Sequence, residues 1–246
     1  MNPAYGERYR ELYEKHWWWC ARTELIIETL RSLDLQNGRE RILDIGCGDG
    51  LFFPRLREFG EVDGVEPFPE LINPDNPDRS HIYVCPFDHT FQPGKQYSLI
   101  LMLDVLEHLE DPVGALRHVC HLLQPGGRVL ITVPAFMRFW TNHDVMNHHF
   151  TRYTKAQLRR ESTEAGLRIM AERYLYHWTC PVKMALGIME RWFHLQPRPA
   201  RVPAGWINRS LFWFSRLEQK TVSRLPMPAG SSLMAICTGV TTTQKE

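Results

Sequence analysis

The 246-residue chain has no pair of cysteines at C-x-x-C spacing, because its six cysteines are scattered along the sequence. This scatter predicts neither a zinc site nor a disulfide framework, and it favours a reducing, cytoplasmic compartment. No apolar run reaches the length of a membrane span, and the polar, tyrosine-rich N-terminus does not resemble a signal peptide. The formal net charge of +1 gives no electrostatic footprint for binding nucleic acid. These absences leave a globular protein with one large domain, or with one domain and a small lobe.

The sequence does contain a short apolar run that ends in three alternating glycines. Residues 41–50 read Arg-Ile-Leu-Asp-Ile-Gly-Cys-Gly-Asp-Gly, so the glycines are Gly46, Gly48 and Gly50. Glycines let the backbone turn sharply and approach a ligand without a Cβ in the way. A nucleotide-type cofactor is held in this manner after the first strand of an open α/β sheet. A turn that only joins a strand to a helix is the alternative interpretation.

The residues around these glycines favour a cofactor without phosphate groups. A dinucleotide-binding loop has the pattern G-x-G-x-x-G, whereas Leu51 stands here in place of the last glycine. Asp44 precedes the loop and Asp49 lies within it, and two carboxylates would repel a pyrophosphate. They would attract the sulfonium and ammonium groups of S-adenosylmethionine. The loop therefore predicts that this unphosphorylated, cationic nucleoside is the cofactor.

A third acidic residue lies where the ribose of such a cofactor is expected. Residues 62–65 predict the second strand, and Glu66 ends it, 20 positions after Gly46. An acidic residue at this spacing and at the tip of the second strand can accept hydrogen bonds from both ribose hydroxyls. A solvated loop carboxylate is the alternative for Glu66.

Strand-like and helix-like segments alternate along the chain. The predicted strands are 41–45, 62–65, 81–85, 97–103, 128–133, 167–174 and a final apolar run at 232–240. The predicted helices are one or two within 8–35, closed by Asn37 and Gly38, and then 51–59, 112–123, 155–165, 181–194 and 206–225. This alternation predicts a doubly wound, mostly parallel sheet with helices on both faces.

Four motifs occur in a fixed order along the middle of the chain. They are apolar-Asp-x-Gly-x-Gly-x-Gly at 43–50, Glu66, Leu-Asp-Val-Leu-Glu-His-Leu at 103–109 and Leu-Leu-Gln-Pro-Gly-Gly at 122–127. In combination they resemble the class I S-adenosylmethionine-dependent methyltransferases, most closely the small-molecule branch with ubiquinone-pathway and sugar or natural-product methyltransferases. The resemblance implies a Rossmann-like fold of seven strands, of which the last two are antiparallel. It also implies S-adenosylmethionine as cofactor and S-adenosylhomocysteine as product.

The resemblance further implies which residues hold the cofactor. Asp44 and the loop amides would bind its methionine part, while Leu103 and Asp104 would line it or face the acceptor. Phe87 and Asp88 follow the third strand, where a carboxylate often meets the adenine amino group, although Asp88 could instead cap its own loop. The implied cofactor-binding residues are Asp44, Gly46, Cys47, Gly48, Gly50, Glu66, Phe87, Asp88, Leu103 and Asp104.

Candidate acid–base groups follow the fourth and fifth strands. Glu107 and His108 could act in catalysis or bind a metal, but the favoured interpretation is that they organise the turn, because no third partner is visible. The loop at 140–153 is dense in histidine and lies on the ligand side of the sheet. One of these histidines could accept a proton as the methyl arrives, and loop histidines bonded to the backbone are the alternative. The candidates are His143, His148 and His149.

The loop ends in Arg152 and Tyr153, which could anchor the next helix or an anionic acceptor group. A facial metal triad from this loop is disfavoured on this fold, so no metal is predicted.

Aromatic residues are concentrated in two further regions. Trp17, Trp18 and Arg22 could form a lid, because an aromatic face attracts a sulfonium, or they could simply pack in the core. The segment 175–230 carries several aromatic residues with basic residues between them. It could cover a greasy acceptor, contact a second copy of the chain or lie against a membrane surface, and packing onto the sheet is the default.

These expectations divide the chain and define its function. The predicted units are an N-terminal helical lid (1–38), a cofactor-binding α/β core (39–174), a helical lobe (175–230) inserted before the last strand, and that strand with the tail (231–246). The predicted function is methyl transfer to a small-molecule acceptor, with oxygen as the first choice, by in-line displacement and with a histidine as candidate base. The alternatives are a catalytically inactive protein that binds a partner and, less favoured, an NAD-dependent oxidoreductase. We expect neither nucleic-acid binding nor a transmembrane segment. The sequence does not decide whether the lobe contacts a membrane surface, and it does not decide the oligomeric state.

Overall fold

The computed structural model describes residues 3–33, 35, 38–196, 199–222 and 225–240. Asn37, which was expected to help close the N-terminal helices, lies outside the described residues, as does the tail from 241 onward.

The described residues form a single seven-stranded sheet. Its strands are β1 (Glu40–Ile45), β2 (Gly60–Val65), β3 (Ile82–Tyr83), β4 (Tyr97–Leu103), β5 (Leu123–Pro134), β6 (Leu167–Leu175) and β7 (Ser232–Gly239). The strand order is β3-β2-β1-β4-β5-β7-β6. Strand β7 is antiparallel to both β5 and β6, and the other pairs are parallel. This topology confirms the predicted fold class, including the antiparallel pair of the last two strands.

Helices cover both faces of the sheet. They are α1 (Pro3–Lys15), α2 (Trp17–Arg31), α3 (Phe53–Leu56), α4 (Pro112–Leu122), α5 (Asn142–Met146), α6 (Lys155–Glu164), α7 (Thr179–Trp192) and α8 (Gly205–Lys220). One layer of the core lies between the sheet and α4 and α6, where Leu116 and Leu158 are buried. The other lies beneath α2, where Ile26 and Leu30 are buried. Burial of these apolar faces is the main force that holds the helices on the sheet.

The strand order reverses between β1 and β4, which are adjacent in the sheet. Asp44 pairs with Leu101 and Ile45 pairs with Met102, so both strands end at the same edge. In open α/β sheets a ligand binds outside the carboxyl ends of the strands at such a reversal. The loops after β1 and β4 therefore face one shared crevice.

The helix predicted at 51–59 is wrong in length, because α3 has only four residues. Pro54 lies in its first turn, and residues beyond Leu56 form turns that bury Phe59 in the core. The chain then enters β2 at Gly60, where a Cβ would lie 2.0 Å from the carbonyl oxygen of Glu40. This close approach of two backbones, rather than local helix propensity, decides where the helix ends.

Three other elements also differ from those predicted from the sequence. Strand β5 begins at Leu123 rather than at 128, because Leu123 pairs with Tyr97 ahead of a register shift. The third strand keeps only two of its five predicted residues. The loop at 140–153 contains α5, which a capping box between Thr141 and Asp144 begins.

The N-terminal region forms two helices, which is one of the two numbers predicted. The backbone of His16 is extended, and its Nδ1 accepts a hydrogen bond from the Trp18 N–H at 3.2 Å, which begins α2. None of the helices in the described part of the chain has both the length and the apolar character needed to cross a membrane.

Candidate cofactor and acceptor site

All three glycines of the loop after β1 adopt the left-handed conformation. The φ angles are 71° at Gly46, 56° at Gly48 and 63° at Gly50. At Gly46 a Cβ would also lie 2.9 Å from Cγ2 of Val105, whereas nothing lies within 4 Å of a Cβ built at Gly48. The loop thus bends where only glycine is unstrained, and it leaves open space beside Gly48.

Glu66 ties this loop to the end of β2. Its carboxylate accepts hydrogen bonds from the N–H of Gly48 at 3.0 Å and from the N–H of Phe68 at 3.1 Å. Only 4% of Glu66 is exposed, and burial raises its pKa although the two hydrogen bonds oppose the shift. It is therefore a built-in carboxylate at the strand end rather than a solvated loop residue.

Asp44 is the second buried carboxylate of the crevice. Burial raises its pKa to about 7, the nearby Arg22 opposes this shift, and Glu66 adds to it. The side chain borders a cavity between the N-terminal helices and the strand ends. The cavity is lined by Tyr9, Tyr13, Arg22, Thr23, Ile26, Asp44, Gly46, Cys47, Leu51, Phe52 and Leu103. Three predicted cofactor residues and the predicted lid residue Arg22 thus meet Asp44 around one space.

Asp49 was also expected to attract the cationic groups of the cofactor, and the structure corrects this expectation. Asp49 forms an ion pair with Arg10 of α1, and its Oδ1 accepts hydrogen bonds from the backbone of Asn73 and the side chain of Asn76. Its charge is balanced by a neighbour, and its hydrogen bonds hold the segment after β2. Asp44 and Glu66 carry the negative character of the crevice.

A network that sequence reasoning did not predict joins the lid to the end of β4. Nη2 of Arg22 lies 2.6 Å from Oδ2 of Asp104, and Oδ1 of Asp104 accepts a hydrogen bond from Thr132 at 3.2 Å. Asp104 adopts φ 59°, which is uncommon for a residue other than glycine. Trp18 stacks on the guanidinium of Arg22 at 5.4 Å, and Trp17 packs against the lobe. No sequence signal pairs positions that lie this far apart.

The residues after β3 are engaged in their own loop. Oδ1 of Asp88 accepts hydrogen bonds from the N–H and the hydroxyl of Thr90, which lower the pKa of Asp88. Phe87 packs between Phe91 and His118. Contact of Phe87 and Asp88 with a cofactor stays a prediction.

Asp144 organises the histidine-rich segment from a fully buried position. Arg152 donates two hydrogen bonds of 2.8 Å to its two oxygens, and Nδ1 of His149 lies 2.9 Å from its Oδ1. Burial alone would raise the pKa of Asp144, but the bonds from His149 and Arg152 outweigh it and hold that pKa well below its usual range. Tyr153 is fully buried in the core, and its hydroxyl reaches the carbonyl of Leu106. Asp144 itself was not among the predicted site residues.

The other two candidate histidines are held less firmly. His143 lies on the exposed side of α5. The ring lies 6.2 Å from that of His149. His148 is exposed and adopts φ 55°. Lys183 comes from α7; burial and the charge of Arg152 lower its pKa to about 8, and sequence reasoning missed it.

Glu107 and His108 acquire the third partner that the sequence could not show. The His108 and His149 rings meet edge to face at 4.6 Å, and one possible ligand atom from each of Glu107, His108 and His149 lies within 4.8 Å of the others. The two segments are also joined through the backbone, because the N–H of Phe150 donates to the carbonyl of Glu107 at 2.7 Å.

The lobe exposes an unusual amount of apolar surface. Trp178 packs inward on Trp17 and Phe214, but other large side chains of the lobe face outward. The exposed ones include Val182, Met184, Leu186, Ile188, Met189, Trp192, Phe193, Trp206, Trp213, Phe214 and Leu217. Among the described residues of α7, α8 and their connection, the exposed formal charges are all basic: Arg191, Arg201, Arg209 and Lys220.

Comparisons with known proteins give a consistent family. The model of a family described as "Methyltransferase domain" matches residues 17–172. The chain is 31% identical over 101 residues to the ubiquinone biosynthesis O-methyltransferase of Aeromonas salmonicida, covering 38% of this chain and 42% of that protein. It is 32% identical over 127 residues to the same-named protein of Bradyrhizobium diazoefficiens, covering 49% and 48%. The matches thus span less than half the length of these relatives.

Solved structures extend the likeness to nearly the whole chain. One is a methyltransferase in complex with the Trm112 methyltransferase activator of Haloferax volcanii, with a TM-score of 0.61, 17% identity and coverage of 98% of this chain and 97% of that one. Another is a TehB-like methyltransferase from Corynebacterium glutamicum, with a TM-score of 0.54, 17% identity and coverage of 97% and 100%. At these identities the likeness concerns the fold.

Proposed function

Because the chain belongs to the methyltransferase-domain family, whose model covers residues 17–172, we propose that it is an S-adenosylmethionine-dependent methyltransferase with a small-molecule acceptor. The observation that carries this proposal is the buried Glu66, bonded to the glycine loop at the reversal point of a class I methyltransferase sheet. S-adenosylmethionine supplies an electrophilic methyl group on its sulfonium and leaves as neutral S-adenosylhomocysteine.

The residues around the crevice suit this cofactor. Asp44 lies where it can attract the cofactor's ammonium, and Glu66 can accept hydrogen bonds from ribose hydroxyls. The open space at Gly48 lets the backbone approach the ligand. Asp104 and its partner Arg22 lie at the end of β4, where they can position the reacting groups. The remaining predicted cofactor residues keep the roles assigned to them above.

The acceptor atom is an oxygen, and His149 is the candidate base that the contacts support best. Nδ1 of His149 donates a hydrogen bond to Asp144, so Nε2 of the same ring keeps its lone pair and can accept a proton. Positioning of the two reactants with water excluded supplies most of the rate, and the base adds a factor of about 10²–10⁴. The names of the ubiquinone O-methyltransferases support oxygen as the methylated atom.

The outward face of the lobe binds an anionic membrane surface. Its apolar residues, such as Trp206 at 75% and Trp192 at 80% exposed, can enter the interface, while the surrounding basic residues meet lipid phosphates. This surface would bring the enzyme to a greasy acceptor dissolved in the bilayer. We place the protein itself in the cytoplasm. We also keep the division of the chain into the lid (1–38), the core (39–174), the lobe (175–230) and the last strand with the tail (231–246).

Calorimetric titration with S-adenosylhomocysteine tests the cofactor proposal. We expect one site per chain and no heat with NADH. Folded protein that gives no heat with millimolar S-adenosylhomocysteine would overturn the proposal, and binding of NADH instead would favour an oxidoreductase.

A transfer assay with isotopically labelled methyl donor then separates an enzyme from an inactive binding protein. Cell extract supplies the acceptors, and label should pass to a small molecule. The variant His149→Gln should lower the rate about 10²–10⁴-fold, whereas His148→Gln, at the exposed neighbouring position, should change it little. Equal losses in both variants would remove His149 from the role of base.

A further inference from the structure

Glu107 is a buried acidic residue in the turn after β4. It is fully buried, and neither carboxylate oxygen has a hydrogen-bond partner among the described residues. Its own backbone N–H approaches it, but not with the geometry of a hydrogen bond. A buried carboxylate that keeps its charge is normally paired or coordinates a metal ion. The side chain of Glu107 is therefore a candidate ligand for a cation.

His149 is prepared as a ligand by its other ring nitrogen. Nδ1 lies 2.9 Å from Oδ1 of Asp144, which assigns the proton to Nδ1 and leaves the lone pair on Nε2. Asp144 is itself fixed by two hydrogen bonds from the buried Arg152. A histidine that binds a metal through one nitrogen usually donates the other N–H to a carboxylate in this way.

His108 completes a set of two imidazoles and one carboxylate. One possible ligand atom from each of the three residues lies within 4.8 Å of the others. Metal–ligand bonds of about 2.0–2.2 Å bring such atoms to within about 4.4 Å of one another, so small side-chain rotations close the cluster. The backbone hydrogen bond from Phe150 to Glu107 holds the two contributing segments together before any ion binds.

We propose that Glu107, His108 and His149 bind a divalent transition-metal ion, such as Zn²⁺, Mn²⁺ or Fe²⁺, at the acceptor side of the site. Two imidazoles and one carboxylate suit these ions, and three protein ligands leave further positions open. Binding of the ion does not depend on the proposed methyl transfer, but its role there does. His149 can serve as the base only while its Nε2 is free. When the ion is bound, Nε2 is a ligand, and the ion would instead bind the acceptor's hydroxyl oxygen and lower the pKa of that hydroxyl, with the proton leaving to solvent.

The test is a metal titration of the untagged, full chain after treatment with a chelator. We expect Zn²⁺ and Mn²⁺ to bind by calorimetry with one site per chain, and Co²⁺ to give visible absorption bands. Glu107→Gln keeps the size of the side chain and removes the anionic ligand, so it should weaken Zn²⁺ binding at least tenfold. His108→Gln changes an exposed side chain and should weaken binding by a similar factor. His148→Gln is the matched control and should leave the affinity unchanged.

The outcomes separate this inference from the proposed function. Folded protein that binds none of Zn²⁺, Mn²⁺ and Co²⁺ at 100-fold molar excess would overturn the metal site. Variants of Glu107 and His108 that bind Zn²⁺ as tightly as the wild type does would also overturn it. Equal weakening in the His148→Gln control would overturn it as well. Because the titrations contain no S-adenosylmethionine, loss of the metal site leaves the cofactor proposal intact, and failure of S-adenosylhomocysteine to bind leaves the metal site intact.

Discussion

Replacing Glu66 with glutamine should weaken cofactor binding by a defined amount. The carboxylate is buried at 4% exposure between the glycine loop and the end of β2, so solvent cannot replace its hydrogen bonds. A hydrogen bond to a charged group contributes about 1.5–3 kcal/mol. Glutamine keeps one acceptor oxygen and loses the charge, so we expect the loss of about one such bond to the ribose. At about 1.4 kcal/mol per tenfold, the Kd for S-adenosylhomocysteine should rise about 10- to 150-fold.

The same change has a separate cost to the fold. In the structure the two oxygens accept the N–H groups of Gly48 and Phe68, and glutamine can accept only one of them. The other N–H loses its partner, which should reduce the free energy of unfolding by about 1–3 kcal/mol. Urea unfolding at pH 7 measures this cost, and the calorimetric Kd is taken well below the transition where the variant is folded.

The control is Glu70→Gln, which removes an exposed carboxylate four residues further along the chain. It should leave the Kd within about twofold of the wild type, since an exposed charge contributes little. If Glu66→Gln bound S-adenosylhomocysteine as tightly as Glu70→Gln does, the ribose assignment would be refuted. A loss of stability with an unchanged Kd would make Glu66 a residue that only holds the loop.

Three further predictions concern charge, packing and the lobe. Burial raises the pKa of Asp44 to about 7, so cofactor binding should tighten as the pH rises from 6 to 8 and the carboxylate ionises. Calorimetry across this range measures the Kd, and the Kd of the Asp44→Asn variant should not change with pH. Asp144→Asn leaves the buried Arg152 unpaired and should lower the free energy of unfolding by about 3–5 kcal/mol in urea at pH 7. The double variant Trp206→Ser with Trp213→Ser should co-sediment less with phosphatidylglycerol vesicles than the wild type does.

Each of these predictions has a clear sign and control. Because the folded pKa of Asp44 is raised, its neutral form stabilises the fold at low pH, and that contribution is lost as the pH rises through about 7. Adding Arg152→Met to Asp144→Asn should restore part of the lost stability. If the losses in unfolding free energy of the two single variants simply added up in the double variant, the two residues would not be coupled as a buried ion pair. Met170→Ser, an exposed apolar change on β6, is the control for the vesicles. Equal binding to phosphatidylcholine vesicles would contradict recognition of anionic lipid.

The sequence was sufficient for the parts of the molecule that depend on local backbone conformation. Alternating glycines predicted a tight loop, and all three adopt positive φ. The apolar run Tyr97–Leu103 predicted a strand buried on both faces, and it lies in the centre of the sheet as β4. Glu66 was placed by its distance along the chain from the first glycine. The glycine loop and the strand depend on neighbouring residues, and Glu66 lies 20 positions after Gly46, so each of these features is visible in a short stretch of sequence.

Contacts between distant segments were decided only by the tertiary structure. The sequence assigned the charge of Asp49 to a ligand, but packing of α1 brings Arg10 to it. It showed Glu107 beside His108 without a third partner, and the fold supplies His149 from a segment about 40 residues further on. Local patterns encode which backbone conformations and which faces a segment prefers, whereas the partner of a buried charge depends on how the segments pack. Periodicity and spacing therefore determined the sheet and its cofactor loop, and packing determined which charges meet in the crevice.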